Sequence, residues 1–214
     1  MKSKIRVILA MFLMVLSCTT HTVGTFFSAA KTTKIVIKNG DITQSSCQAI
    51  VNAANEQLLG GAGGCGAIFN AAGWLDLQRA CDNYPAYTTV RCPVGQACIT
   101  DSFNLKARGI QYIVHAVGPD CRIIKDPKQQ DILLEAVYKN ALIVADKNNI
   151  KSIAFPFISS AIYAFPKERA CEIALKTVTE YTKGSTSLEK IEFVLFSQAD
   201  YDLFCKIFAD IEGK

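Results

Sequence analysis

The sequence predicts a three-layer α/β domain, a central sheet with helices on both faces. Two observations carry this expectation. From Lys34 onward, short runs rich in β-branched residues alternate with longer segments of helical period, the pattern of strands joined by crossover helices. The short runs are apolar nearly throughout, as strands buried on both faces must be. A length of 214 residues, half of them apolar, suffices for one domain with a sizeable core.

The elements follow in order. Strands are expected at Lys34–Lys38 (KIVIK) and Ala49–Ala53 (AIVNA), then a helix at Ala67–Cys81. Further strands are expected at Ala97–Thr100, Tyr112–Ala116, Ser152–Phe157 and Ile191–Phe196. The helix at Gln129–Asn148 has the clearest period, with Leu133, Ala136, Val137, Ala141 and Val144 on one face. Another helix runs over Pro166–Tyr181, with Pro166 at its favoured first position, and the last over Tyr201–Ala209. Ligands of such sheets bind beyond the carboxyl ends of strands. The loops there are Asn55–Gly66 and Ile158–Phe165.

Residues 1–33 differ in kind. Lys2, Lys4 and Arg6 precede the unbroken apolar run Val7–Leu16, too short to span a bilayer, which needs about 20 residues. This predicts a signal peptide over 1–24, a tether over 25–33 and one domain over 34–212. Val-Leu-Ser-Cys at Val15–Cys18 resembles a bacterial lipobox, whose cysteine becomes lipidated. Ordinary cleavage near Gly24 or after Ala30, and a retained anchor, are the competing readings. The chain is expected to be exported, whether secreted, periplasmic or lipid-anchored, and to touch a membrane only through that anchor.

The net charge of +4 is mild and no basic run is long, so no nucleic-acid partner is expected. Nine cysteines include no C-x-x-C, and only His21 and His115 accompany them; no metal site is predicted. Cys47, Cys98 and Cys171 lie in apolar segments and read as free thiols. Cys81, Cys92 and Cys121 lie in polar, turn-rich stretches, where an exported protein could pair them.

The stretch Leu58–Gly73 (LLGGAGGCGAIFNAAG) is a glycine loop feeding a helix, which suits phosphate because amides and dipole point at an anion there. A Walker A loop needs G-K-[ST] at the helix start and finds Gly66-Ala67-Ile68. A G-x-G-x-x-G does occur over Gly61–Gly66, but Glu56–Gly60 separate it from the strand. Asp82 stands at the distance of a ribose-binding acid, yet follows a helix without a strand before it.

More of the chain bears on a third reading. Asp41-Ile42-Thr43 after Gly40, then Ile50–Asn55 (IVNAAN), the glycine loop, Tyr112–Pro119 (YIVHAVGP) and Ser152–Tyr163 (SIAFPFISSAIY) occur in that order. Together they closely resemble the macrodomain family over roughly Lys34 to Phe208, in its MacroD-type ADP-ribosyl hydrolase branch. The resemblance implies a mixed sheet sandwiched between helices and a monomeric module that binds ADP-ribose or an ADP-ribosylated protein, with no cofactor. It implies that Asp41 accepts from the adenine amino group beside Ile42, and that Phe196 lies against the adenine face. Gly60, Gly61, Gly63 and Gly64 would admit the ligand, with Asn52 in the binding set. Ser159, Ser160, Ala161, Ile162 and Tyr163 would hold the diphosphate, and Tyr163 or Phe165 would pack near the distal ribose. His115, inside an apolar strand, reads as structural.

Many members of that family hydrolyse esters of ADP-ribose, with an Asn and an Asp flanking the distal ribose. Asn55 matches the Asn. Cys65 occupies the Asp position, and its ordinary pKa of about 8.5 leaves it a weak donor at neutral pH. Ala161 and Ala164 replace two usual glycines; at positive φ, alanine at 161 would cost about 1 kcal/mol. Two expectations therefore stand: a weak or altered ADP-ribosyl-ester hydrolase using Asn55, or a non-catalytic reader of ADP-ribose or a related nucleotide.

Overall fold

The computed structural model describes residues 33–212. The predicted signal peptide, and the tether apart from Thr33, lie outside the described residues. The order is β1 (Lys34–Asn39), a 3-10 turn (Ile42–Gln44), β2 (Ala49–Ala53), α1 (Gly63–Ala72), α2 (Trp74–Asp82) and β3 (Ala97–Asp101). A second 3-10 segment (Phe103–Arg108), β4 (Tyr112–Ala116), α3 (Pro127–Lys147) and β5 (Ser152–Phe155) follow. The chain then forms α4 (Lys167–Thr182), β6 (Lys190–Leu195) and α5 (Gln198–Glu212).

The strands form one mixed sheet in the order β1-β6-β5-β2-β4-β3, parallel throughout except for β3 against β4. Ile68, Phe69 and Leu77 of α1 and α2 pack with Ile50 and Ile113 on one face. On the other, Val137 and Leu142 of α3, Leu175 of α4 and Phe204 of α5 pack with Phe155 and Phe193. This is the expected α/β/α sandwich, and the inner strands are buried on both faces because they carry apolar residues at consecutive positions.

Several boundaries differ from expectation, and those that bear on the site have local reasons. The single helix over Ala67–Cys81 is two, because Gly73 takes φ +98°, a left-handed conformation that breaks the helix and costs glycine little. The second starts at Trp74, and the first begins earlier, at Gly63, inside the glycine loop. Pro166 is the N-cap of α4 and not its first residue, with φ −57° and ψ 122°. The last helix begins a turn early because Ser197 Oγ accepts from the Asp200 amide at 3.1 Å, capping a polar first turn. β5 stops at Phe155, ahead of Pro156, which has no N–H for the ladder. In α3, Asp126 caps by accepting from the Lys128 amide at 3.0 Å, with Pro127 in the first turn.

The eight described cysteines are free thiols, so the pairing considered for Cys81, Cys92 and Cys121 is not formed. Cys81 and Cys92 are buried, where small apolar side chains belong.

Candidate active site

The topology places a crevice before any side chain is considered. The chain leaving β2 crosses toward β3 and β4, while the chain leaving β5 crosses toward β6. Adjacent parallel strands whose connections diverge form a switch point, and the space beyond their carboxyl ends is open. Here β2 and β5 pair only at Ala49↔Ile153 and Ile50↔Ala154, and then part. Both loops expected to hold a ligand spring from this point.

The first wall is the segment after β2. The Asn55 carboxamide is pinned by the backbone of Leu59: Nδ2 donates to the Leu59 carbonyl at 2.8 Å, and Oδ1 accepts from its amide at 3.0 Å. One N–H and one lone pair remain for another partner. The loop then enters α1 at Gly63, where Ala62 offers no side chain to cap the first amides. Uncapped amides at the start of a ten-residue helix make an anion-binding end. Gly66 is required by closeness, since a Cβ there would lie 2.5 Å from the Gly61 carbonyl oxygen. Gly60 is half-buried, while Gly61, Gly63 and Gly64 are exposed.

Cys65 is the third residue of α1 and half-buried. Burial pushes its thiol pKa up, against the Gly61 backbone and the Asn52 side chain, which favour the thiolate. At neutral pH it is a neutral thiol, neither base nor nucleophile.

The second wall is 158–165. The Phe165 amide donates to the Ser159 carbonyl at 3.0 Å and the Ala164 amide to the Ala161 carbonyl at 3.0 Å, closing a compact loop. Ser160 Oγ donates to the Phe157 carbonyl at 2.9 Å, and Ser159 Oγ is buried without a partner. Positive φ falls on Ser159 (63°) and Ala164 (54°), not on Ala161. The positive φ expected at Ala161 therefore falls elsewhere in the loop, at Ser159 and Ala164. Ala161 and Ile162 are exposed at the loop tip.

Tyr163, not Phe165, faces the site. Phe165 is buried in the core at 2% exposure, with Arg169 4.7 Å above its ring. Tyr163 and Asn55 line one cavity of about 330 Å3 with Glu56, Val94, Asp120 and Ile124. Tyr163 is held in place by Arg122, 5.8 Å from its ring centre. Arg122 is in turn fixed by two-pronged donation to Asp120, Nε to Oδ1 at 2.9 Å and Nη2 to Oδ2 at 2.6 Å. That guanidinium holds the Asp120 carboxyl below its ordinary range.

The other end of the sheet top carries Asp41, Ile42 and Phe196. Asp41 caps the 3-10 turn: its two carboxylate oxygens accept from the Thr43 amide at 2.9 Å and the Thr43 hydroxyl at 2.8 Å. It is exposed, so each oxygen retains a free lone pair. Ile42 is buried beside it. Phe196 comes one residue past β6 and is 87% exposed, so it is not a core residue.

Asn52 acts from behind the wall. It is buried in β2, paired with Nδ1 of His115 at 3.2 Å, and its Oδ1 has no partner. His115 Nε2 is 3.0 Å from Thr100 Oγ1. Burial drives the His115 pKa down to about 4, so the ring is neutral and structural.

Glu56, Gln57, Val94, Asp120, Arg122 and Ile124 were not anticipated. The rule that pointed to the segments after β2 and β5 applies equally to the segment after β4, where the polar Asp120-Cys121-Arg122 was the available signal.

Comparison with known proteins places this geometry. The Macro domain family model matches residues 51–174. The O-acetyl-ADP-ribose deacetylase 1 of Pantoea vagans is 40% identical over 174 residues, 81% of this chain and 98% of that protein. A macro domain-containing protein of Caldanaerobacter subterraneus is 40% identical over 184 residues, 84% of this chain and 98% of its own. Among solved structures, the Oceanobacillus iheyensis macrodomain with ADP superposes at a TM-score of 0.79 and 34% identity, covering 86% of this chain and 94% of that one. The Trypanosoma brucei macrodomain in complex with ADP-ribose gives 0.68 at 31% identity, covering 80% of this chain and 68% of that one.

Proposed function

Because the chain belongs to the Macro domain family, we propose that it binds ADP-ribose at the switch point and hydrolyses esters on the distal ribose. The observation that carries this reading is that Asn55 and Tyr163, from the two diverging loops, line one cavity beside the uncapped start of α1.

In this reading the adenine lies between Ile42 and the exposed ring of Phe196, its amino group donating to Asp41. The diphosphate takes the free amides at Gly63–Cys65 and those of the 159–163 loop. The helix end supplies a fixed positive pole that needs no rearrangement on binding. The distal ribose then meets Asn55 and Tyr163. Asn55, already oriented by Leu59, positions a ribose hydroxyl and the attacking water.

Hydrolysis adds the water oxygen to the ester carbonyl, and one proton must leave that water. Cys65 cannot accept it, because burial keeps the thiol protonated. We assign that proton to an oxygen of the ligand's own diphosphate, which makes catalysis substrate-assisted. Acetate release from O-acetyl-ADP-ribose, and loss of label from mono-ADP-ribosylated acidic side chains, test the reading. Full retention of both after prolonged incubation refutes it.

One observation favours the alternative of a reader that binds without turnover: no carboxylate stands at position 65. Heat on adding ADP-ribose with no product from either ester would establish that reading. Export is the remaining part of the proposal, supported by Lys2, Lys4 and Arg6 ahead of the apolar run Val7–Leu16. A mature protein of full-length mass in the cytosol would refute it.

A further inference from the structure

Two cysteines meet where the chain turns into β3. Cys92 and Cys98 flank Pro93–Ala97, where the Gln96 amide donates to the Pro93 carbonyl at 3.0 Å and closes a turn. Gly95 takes φ +85° at the third position of that turn, as a type II turn requires. The chain reverses there, which brings Cys92 back alongside β3. Both side chains enter one apolar cluster, Cys92 as a buried member and Cys98 packed against it. Within it the two thiols are hydrogen-bonded to one another. The nearby thiols have other partners: Cys81 Sγ lies 3.8 Å from His115 Nε2, and Cys65 engages the Asn52 side chain.

We infer that Cys92 and Cys98 form a latent disulfide, closed by exchange with a small-molecule disulfide, which fastens the segment after β2 to the sheet. The Cys98 thiol, donating to Cys92, holds that thiol below its ordinary range, so the pair offers a nucleophile that a lone buried thiol would not. The ionised sulfur attacks one sulfur of the small disulfide and expels a thiolate. The other cysteine then attacks the mixed disulfide and expels the second. The protein gives up two electrons and two protons; the small disulfide takes the electrons, and its two leaving thiolates take the protons. Access is local, since β3 is an edge strand and Cys98 is only half-buried, where brief opening admits a small reagent. The consequence reaches the candidate site. The amides of Arg91 and Cys92 both donate to the Glu56 carbonyl, at 2.8 and 3.0 Å, and Arg91 Nη1 donates to the Gln57 carbonyl at 3.2 Å. A bond from Cys92 to β3 therefore braces the chain that follows Asn55. The export proposed above would bring the pair into the oxidising compartments where such bonds persist, but the bond itself depends only on the pair.

The test equilibrates the reduced full chain with excess oxidised glutathione under native conditions, then maps its peptides without reduction and measures Tm. The inference expects Cys92 and Cys98 joined in one peptide lighter by the mass of two hydrogens. It expects Tm to rise by about 5 °C, as closing so short a loop should give, and to fall back on adding dithiothreitol. Cys98→Ser should abolish both the bridge and the rise. Both thiols still open to alkylation, a glutathione adduct that goes no further, or either sulfur joined to a different cysteine overturns the inference. So does a Cys92–Cys98 bridge that leaves Tm unchanged. The wild-type peptide map and melting curve decide the matter even if the variant fails to fold, and neither readout depends on ester hydrolysis.

Discussion

The substitution Cys65→Asp asks whether the missing carboxylate is all that separates this site from a faster one. Cys65 is the third residue of α1, whose N-cap Ala62 leaves the first amides uncapped. A carboxylate in that turn gains about 0.3–1 kcal/mol from the helix dipole. The half-burial that raises the thiol works against an ionised Asp, so the two effects offset. With about 1 kcal/mol at stake in either direction, Tm should move by no more than about 2–4 °C. There is room, because the space where Gly61 would carry a Cβ is 3.8 Å from the Cys65 sulfur. A positioned base contributes about 10²–10⁴-fold, and because substrate assistance already supplies part of this, about 10²-fold in kcat is expected. The assay is acetate release at saturating O-acetyl-ADP-ribose across pH, with calorimetric ADP-ribose affinity as the control. The gain should appear with a new acidic limb, since the carboxylate must lose its proton to act. A folded variant with unchanged affinity and less than about tenfold gain refutes the reasoning. The water would then be placed by groups other than residue 65.

Other outcomes follow from the same geometry. Phe196→Ala should leave Tm unchanged, because the ring is 87% exposed, yet weaken ADP-ribose binding by about tenfold or more through lost stacking; equal Kd values by calorimetry would remove Phe196 from the site. Gly66→Ala puts a methyl 2.5 Å from the Gly61 carbonyl oxygen, which should cost about 1–3 kcal/mol of stability and displace the glycine loop; an unchanged urea midpoint would contradict this. His115 is neutral and buried with its pKa lowered from 6.5 to about 4. The unfolded chain protonates first, so stability is full above pH 6.5 and is lost as pH falls through about 4. At 1.36 kcal/mol per pH unit the loss approaches about 3 kcal/mol. Urea midpoints at pH 7 and pH 4.5 check it, and equal midpoints would refute the assignment.

The sheet was legible in the sequence because its physics is local. β2 and β4 have the bounds expected of them, since five consecutive residues in each suit burial on both faces. The helix at Ala67–Cys81 misled because Gly73 reads as one tolerable glycine, and only its φ reveals the break. Gly63 and Gly64 read as loop, since glycine is a poor helix former, although packing of Ile68 and Phe69 carries the helix back over them. In the candidate site, Asn55 and Tyr163 line one cavity. Phe165 does not, because the loop turns back into the core at its end and buries that ring at 2% exposure. Ala161 drew attention as a replaced glycine, while the positive φ belongs to Ser159 and Ala164. The cavity wall beyond Asn55 went unread, because Val94, Asp120 and Ile124 come from separate segments that only the fold brings together.

β2 and β5 share two register pairs and then separate, while their other neighbours stay paired for longer. The sheet is in effect two three-stranded leaves, β1-β6-β5 and β2-β4-β3, sewn by a short seam. In the proposed binding mode, a nucleotide reaching from Phe196 just past β6 to Asn55 just past β2 spans that seam. Bound in that mode it acts as a tie rod between the leaves, across the shortest register in the sheet.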